Sequence, residues 1–291
     1  MIMVTSDPSR TQVRSLPILK RLALASILSC TTSVAFAADA APAQPAAPAT
    51  GWQLTVGLGP QVQTSFPGAK TVTVWPTGIL DLRRPGEARP FSSPDDGIGL
   101  ALLDYGWIKA GPVGRLLPSR GTSNGNGAFY GLPYVGASVE LGIFAELWFT
   151  EHFRARAEVR QAVSGHDGLD SNIAFDAIQK FGAFTFAVGP RLQLGDTQYM
   201  RSYFSVTPAQ AFINGRVTPY QATGGLGSVG ALASVKYDFL PNWSATAFGG
   251  YDRLVSSAAA SPIPNNLGSL NEFTGGLIIA HAFNLEIPFL P

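Results

Sequence analysis

The chain has 291 residues, enough for one large domain or two small ones. Only 13% of them are charged, against roughly 25% in soluble domains, while Gly (32) and Phe (18) are plentiful. The formal charge of +1 gives no nucleic-acid footprint, and a single cysteine excludes a disulfide framework or a thiolate metal centre within the chain.

In chain order, Arg14, Lys20 and Arg21 precede an apolar run from Leu22 to Ala37 that ends in the small-x-small triplet Ala35-Phe36-Ala37. This pattern predicts a secretory signal peptide over residues 1–37. A rival reading makes Cys30 a lipidated cysteine, but Leu28 is bulky for that recognition and the apolar run before Cys30 is short. Cleavage after Ala37 removes Cys30, four basic residues (Arg10, Arg14, Lys20, Arg21) and Asp7, which takes the formal charge from +1 to −2. Residues 38–50 (ADAAPAQPAAPAT) are Ala/Pro-rich and read as a flexible periplasmic leader.

From residue 51 onward no apolar stretch is long enough for a membrane helix. Two-residue alternation recurs instead, the mark of a strand with one apolar face. Over 135–149, Val135, Ala137, Val139, Leu141, Ile143, Ala145, Leu147 and Phe149 alternate with Gly136, Ser138, Glu140, Gly142 and Glu146. Over 226–240, Val229, Ala231, Ala233, Val235, Tyr237 and Phe239 alternate with Ser228, Gly230, Ser234, Lys236 and Asp238. Many of these segments reach about ten residues, as a tilted membrane crossing requires. Aromatic residues gather at their ends: Trp52, Trp148, Phe149, Phe153, Phe239, Trp243 and Phe283, the pattern of an interfacial belt. The reading is an all-β antiparallel transmembrane β-barrel over 51–291, localised to the Gram-negative outer membrane.

Both ends of such a barrel face the periplasm, so the strand number is even. Counting outward from the tight turns Thr150-Glu151-His152 and Leu240-Pro241-Asn242, strands are predicted near 52–63, 71–82, 98–117 (interrupted), 134–149, 153–163, 183–194, 199–208, 227–240, 243–255 and 272–283. That is about ten. Twelve follows if 98–117 counts twice and 171–178 is also a strand. The long connections 118–132, 164–182, 209–225 and 256–271 then face outward.

Candidate chemistry is sparse. Gly225-Leu226-Gly227-Ser228-Val229-Gly230 matches a dinucleotide fingerprint by letter, but it opens a strand where that motif must open a helix. His152, His166 and His281 are far apart and carry no metal-ligand spacing, so neither metal nor cofactor is expected. Gly165-His166-Asp167-Gly168 is the most site-like cluster, since an Asp can orient a His for general-base work. No nucleophile completes a triad, and the reading is a turn whose His and Asp bond the backbone. Glu140, Glu146, Arg154, Arg156, Glu158, Arg160, Arg191 and Lys236 are predicted to point into the lumen. If 134–149 and 153–163 pair about Glu151, Glu146 faces Arg156 and Phe144 faces Glu158. A narrow barrel fills its interior with side chains, and a paired Arg/Glu network does so. The alternative is a pore lined by basic residues.

Several segments in order resemble the MipA/OmpV family of outer-membrane proteins: Trp52 through Gly59 (WQLTVGLG), Gly114-Arg115, Gly165-His166-Asp167-Gly168, Tyr203-Phe204-Ser205-Val206, and Tyr251-Asp252-Arg253-Leu254 with Ser261-Pro262. The chain departs from the family at Ser205, where glycine is usual, and in the tail NLEIPFLP after Phe283, which replaces a terminal aromatic residue. The resemblance implies a non-enzymatic scaffold that joins a murein transglycosylase to a penicillin-binding protein, and it brings no catalytic residues. A small-solute or ion channel with a basic lumen is the second expectation. An outer-membrane hydrolase using His166 and Asp167 is the third.

Overall fold

The computed structural model describes residues 52–83, 91–121 and 127–285. The expected signal peptide, the leader and the tail after Leu285 lie outside them. The alternating segments form long strands: β1 (Trp52–Thr64), β2 (Val72–Arg83), β5 (Ile108–Leu117), β6 (Ser138–Thr150), β7 (Phe153–Ala162), β8 (Leu169–Phe181), β9 (Phe184–Gly195), β10 (Gly225–Leu240), β11 (Trp243–Leu254) and β12 (Asn271–Leu285). Two short pieces, β3 (Ile98–Gly99) and β4 (Leu103–Asp104), both pair with β5.

All described strands belong to one antiparallel sheet in the order β2-β1-β12-β11-β10-β9-β8-β7-β6-β5-β3. β1 pairs with β12, so the first and last strands meet in the wall and the sheet curls into a nearly closed barrel. Side chains alternate across it. On β7, Arg154, Arg156, Glu158 and Arg160 are buried, while Phe153 and Val159 are exposed. In a soluble protein this would invert the hydrophobic rule. In a membrane barrel the exposed apolar residues face lipid and the buried polar ones fill the lumen.

The short turns Thr150-Glu151-His152, Gly182-Ala183 and Pro241-Asn242 share one end with Trp52 and Leu285. At the opposite end the connections are long and carry their own core. Helices α1 (Thr197–Phe204), α2 (Pro208–Asn214) and α3 (Ser256–Ala260) sit there. Phe66, Phe129, Tyr199, Met200, Tyr203, Phe204, Ile263 and Leu267 pack together as a buried apolar cap.

Two expectations need correction. Residues 199–208 were expected as a strand, and α1 occupies that stretch. Asp196 caps it by accepting the Tyr199 N–H at 2.7 Å, and Tyr199, Met200, Tyr203 and Phe204 are buried, a spacing that suits one helical face and not a strand. The connection 164–182 was expected outside the membrane, with 171–178 as a strand only in the twelve-strand alternative, and most of it is β8 (Leu169–Phe181). Asp170 and Asp176 point inward to arginines while Ile173 and Phe175 point out.

The strand count follows from the same geometry. Among the described residues ten strands are long, and β3 with β4 makes one broken crossing. β2 and β3 both run toward the turn end, so the chain must return between them. Residues 91–97, on that return, lie in the lumen and not in the wall. Pro94 lacks a donor for a sheet ladder, and in the wall Asp95 or Asp96 would face lipid.

The candidate functional site: a filled lumen under a cap

The lumen is built from inward residues of β5 to β9 around the segment 91–97. Glu146 lies opposite Arg156 and Phe144 opposite Glu158 across β6 and β7. Arg154, fully buried, donates to Asp96 at 2.8 and 3.1 Å, to Asp176 at 2.6 and 3.0 Å and to Glu146 at 3.2 Å. Its guanidinium also stacks on Phe91, 4.9 Å from the ring centre. Arg156 donates to Glu158 at 2.8 Å and to Glu146 at 3.2 Å, and lies 4.0 Å from the Phe144 ring centre.

Arg160 meets Glu140 at 2.9 Å, and Glu158, Asp170 and Asn172 besides. Arg191 grips Asp95 at 2.6 and 3.2 Å, Asp176 at 2.8 Å and Ser93 at 3.0 Å. Each arginine is held by two or more carboxylates, which offsets the cost of burying it. The carboxylates gathered here (Asp95, Asp96, Glu140, Glu146, Glu158, Asp170 and Asp176) outnumber Arg115, Arg154, Arg156, Arg160 and Arg191, so the lumen is not the basic one of the channel alternative. Lys236 stands apart from this lattice and pairs with Asp238 at 3.0 Å near the turn end.

Asp95, Asp96, Asp170, Asp176 and Asn172 were not singled out from sequence. The signal available was the excess of arginines on the inward faces of β7 and β9, which demanded more acids than Glu140, Glu146 and Glu158 supply. Opposite the lattice, Leu232, Phe248 and Ile278 make a small dry cluster. A cavity of ≈ 360 Å³ remains between the two, bounded by Trp75, Arg115, Asn172, Gln193, Asp252 and Glu272 among others.

His166 is buried beneath the cap. Its Nδ1 accepts the Gly168 N–H at 3.1 Å, so Nε2 carries the proton and donates to Glu140 at 2.8 Å. Its ring packs edge-on to Tyr199, with centroids 4.9 Å apart. Asp167 sits at φ 57° in the turn and does not orient the imidazole. His166 and Asp167 thus form no general-base pair, and Gly165, at φ 89° with Ser138 against its Cα, shapes the turn.

Arg120, also buried in the cap, donates to the Tyr203 carbonyl and to Pro133 O at 3.2 Å. Burial lowers its pKa to about 10 and pushes the Tyr203 phenol up to about 12. Both keep their usual forms at neutral pH.

Of the expected belt residues, Phe149, Phe153, Phe239, Trp243 and Phe283 are exposed on the outer face, and Trp52 lies at the same end. Phe175 bridges Phe149 and Phe153, and Phe184 stacks on Tyr237 at 4.6 Å. His281 lies between Trp243 and Phe283 at 4.5 and 4.4 Å. Trp148 is a correction. It shares the inward register of Phe144 and Glu146 and donates its indole N–H to Glu146 at 2.6 Å.

An antiparallel barrel with an apolar outer band, aromatic rings at its turn end and charged groups inside is an outer-membrane β-barrel protein. The model for the family described as MltA-interacting protein MipA matches residues 56–283. The chain belongs to that family. No curated protein matches it.

Among solved structures it is similar to an outer-membrane channel from Pseudomonas putida F1, at 11% identity and a TM-score of 0.42, covering 83% of this chain and 100% of that one. Neisserial surface protein A gives 10% identity and a TM-score of 0.26, covering 81% and 99%. The outer-membrane protease OmpT from Escherichia coli gives 9% and 0.26, covering 80% and 95%.

Proposed function

We propose that the protein is a non-enzymatic outer-membrane scaffold that engages murein-processing enzymes from its periplasmic face. The lumen supports this reading most directly, since the 91–97 segment and five arginines fill it below an apolar cap. A barrel stoppered in that way offers its partners the turn end. There Glu151 is exposed, and a side chain added at Gly182 would meet no neighbour. Residues 1–37 act as the export signal and 38–50 as a leader that extends the periplasmic surface. The family's description names MltA as the partner of its namesake, and the resemblance to the family implies the partner classes, a murein transglycosylase and a penicillin-binding protein.

Affinity capture from solubilised envelopes tests this. A transglycosylase is expected to co-purify with the intact protein and to be lost when the Thr150–His152 and Pro241–Asn242 turns are replaced. Capture of no murein enzyme would count against the scaffold. The channel reading draws on the ≈ 360 Å³ cavity beside the segment, and conductance separates the two.

A further inference from the structure

Gln61 and Trp75 stand at paired positions of β1 and β2, and both bound the ≈ 360 Å³ lumen cavity. Their neighbours Val62 and Val74 are exposed on the outer face, so the alternation of each strand turns the amide and the indole inward. An indole in a wet lumen shows apolar faces to water and carries an N–H that seeks an acceptor. Among the described residues Trp75 makes no side-chain hydrogen bond and no ring contact.

The polar groups around the indole are also short of partners. Gln61 donates to Gln63 at 2.8 Å, which leaves Gln61 Oε1 and Gln63 Nε2 unused among the described residues. Asn172 accepts from Arg115 at 3.1 Å and from Arg160, so its amide N–H groups are unused as well. Asp252 and Glu272 stand at paired positions of β11 and β12, a spacing that sets their Cβ atoms about 5 Å apart. Glu272 accepts the Gly68 N–H at 2.6 Å through one oxygen. Asp252 makes no hydrogen bond or ion pair among the described residues. All of these side chains bound the cavity.

Water alone would satisfy the polar atoms but leave two aromatic faces wet, Trp75 and Phe248, which also bounds the cavity. A pyranose ring meets both needs. Its hydroxyls donate to carboxylates and exchange hydrogen bonds with amides, while its C–H face lies on the negative face of an aromatic ring. A compact cation would instead confront the guanidinium groups of Arg115, Arg156 and Arg191, which share the same wall. The volume suits a small ligand, since such sites span about 300–1,000 Å³. The cavity reaches Thr64 and Leu117, the loop-end residues of β1 and β5, so it lies on the outer side of the 91–97 segment.

We propose that this cavity is a saccharide-binding site on the cell-exterior side of the lumen segment. It takes a neutral sugar of one or two rings, with a ring face on Trp75, hydroxyls donated to Asp252 and Glu272, and the amides of Gln61, Gln63 and Asn172 completing the contacts. This site is independent of the scaffold role.

The test uses the refolded protein in lauryldimethylamine oxide micelles, whose headgroup is not a sugar. Three probes are titrated separately, glucose, lactose and the diamine putrescine, and saturation-transfer NMR reads which probe protons touch the protein. Each variant is first shown to be folded by its heat-modifiable gel migration. Transfer to the ring protons of at least one sugar is expected, and it should exceed transfer to putrescine. Asp252→Asn is expected to raise the dissociation constant of that sugar about tenfold, the ratio that one hydrogen bond to a charged acceptor supplies. Trp75→Leu removes the stacking face and is expected to abolish the transfer. No transfer to either sugar, stronger transfer to putrescine, or transfer unchanged in either folded variant would overturn the saccharide site.

Discussion

Arg154 shows how a residue that reads as a liability becomes a structural centre. It lies wholly inside the barrel and pairs with Asp96, Asp176 and Glu146 together. Arg154→Met strips three buried acids of one cation, and a loss of about 3–5 kcal/mol is expected, measured by urea unfolding of the refolded protein. Arg154→Lys is expected to fall between, because an ammonium keeps the charge but not the planar fork. His166 is a positioning residue of the same kind. His166→Ala leaves Glu140 and the Gly168 N–H with one partner fewer, at about 1–3 kcal/mol. It should leave capture of murein enzymes unchanged, and an equal loss of capture and stability would contradict a purely structural role.

At the scale of elements, α1 and β8 show where a sequence pattern reverses its meaning. β8 was legible only as the possible strand 171–178, because its inward residues Asp170 and Asp176 make sense in a wall once the arginines of β7 and β9 stand opposite them. Tyr199 to Phe204 carried enough aromatic residues for a strand, and the Asp196 cap that starts a helix is the one local signal against it. The helix gains its stability from the cap core. Phe204, 1% exposed, anchors that core, so Phe204→Ala is expected to cost about 3–5 kcal/mol. The loss should be local. Limited proteolysis is expected to cut between residues 196 and 224 in this variant while the strands stay intact, and general digestion would mean that cap and wall unfold as one unit.

For the whole molecule, the question is whether ions pass. Asp95 and Asp96 hold the lumen segment through Arg191, Arg154 and Arg156. In planar bilayers the unmodified protein is expected to give no large stable currents. Asp95→Ala with Asp96→Ala releases the segment and is expected to produce discrete openings. Large currents from the unmodified protein would replace the scaffold with a channel.

The sequence by itself determined the barrel, because a period of two is a local property and each strand carries it alone. It also determined the inward place of Glu146, Arg156 and Glu158, since a three-residue turn sets the register of its own hairpin. What only the tertiary structure decided is which charges meet. Asp96 and Arg154 are 58 residues apart in sequence, and their pairing depends on the chain turning back into the lumen. The filled lumen and the cap over His166 both depend on such non-local contacts, which no local spacing encodes.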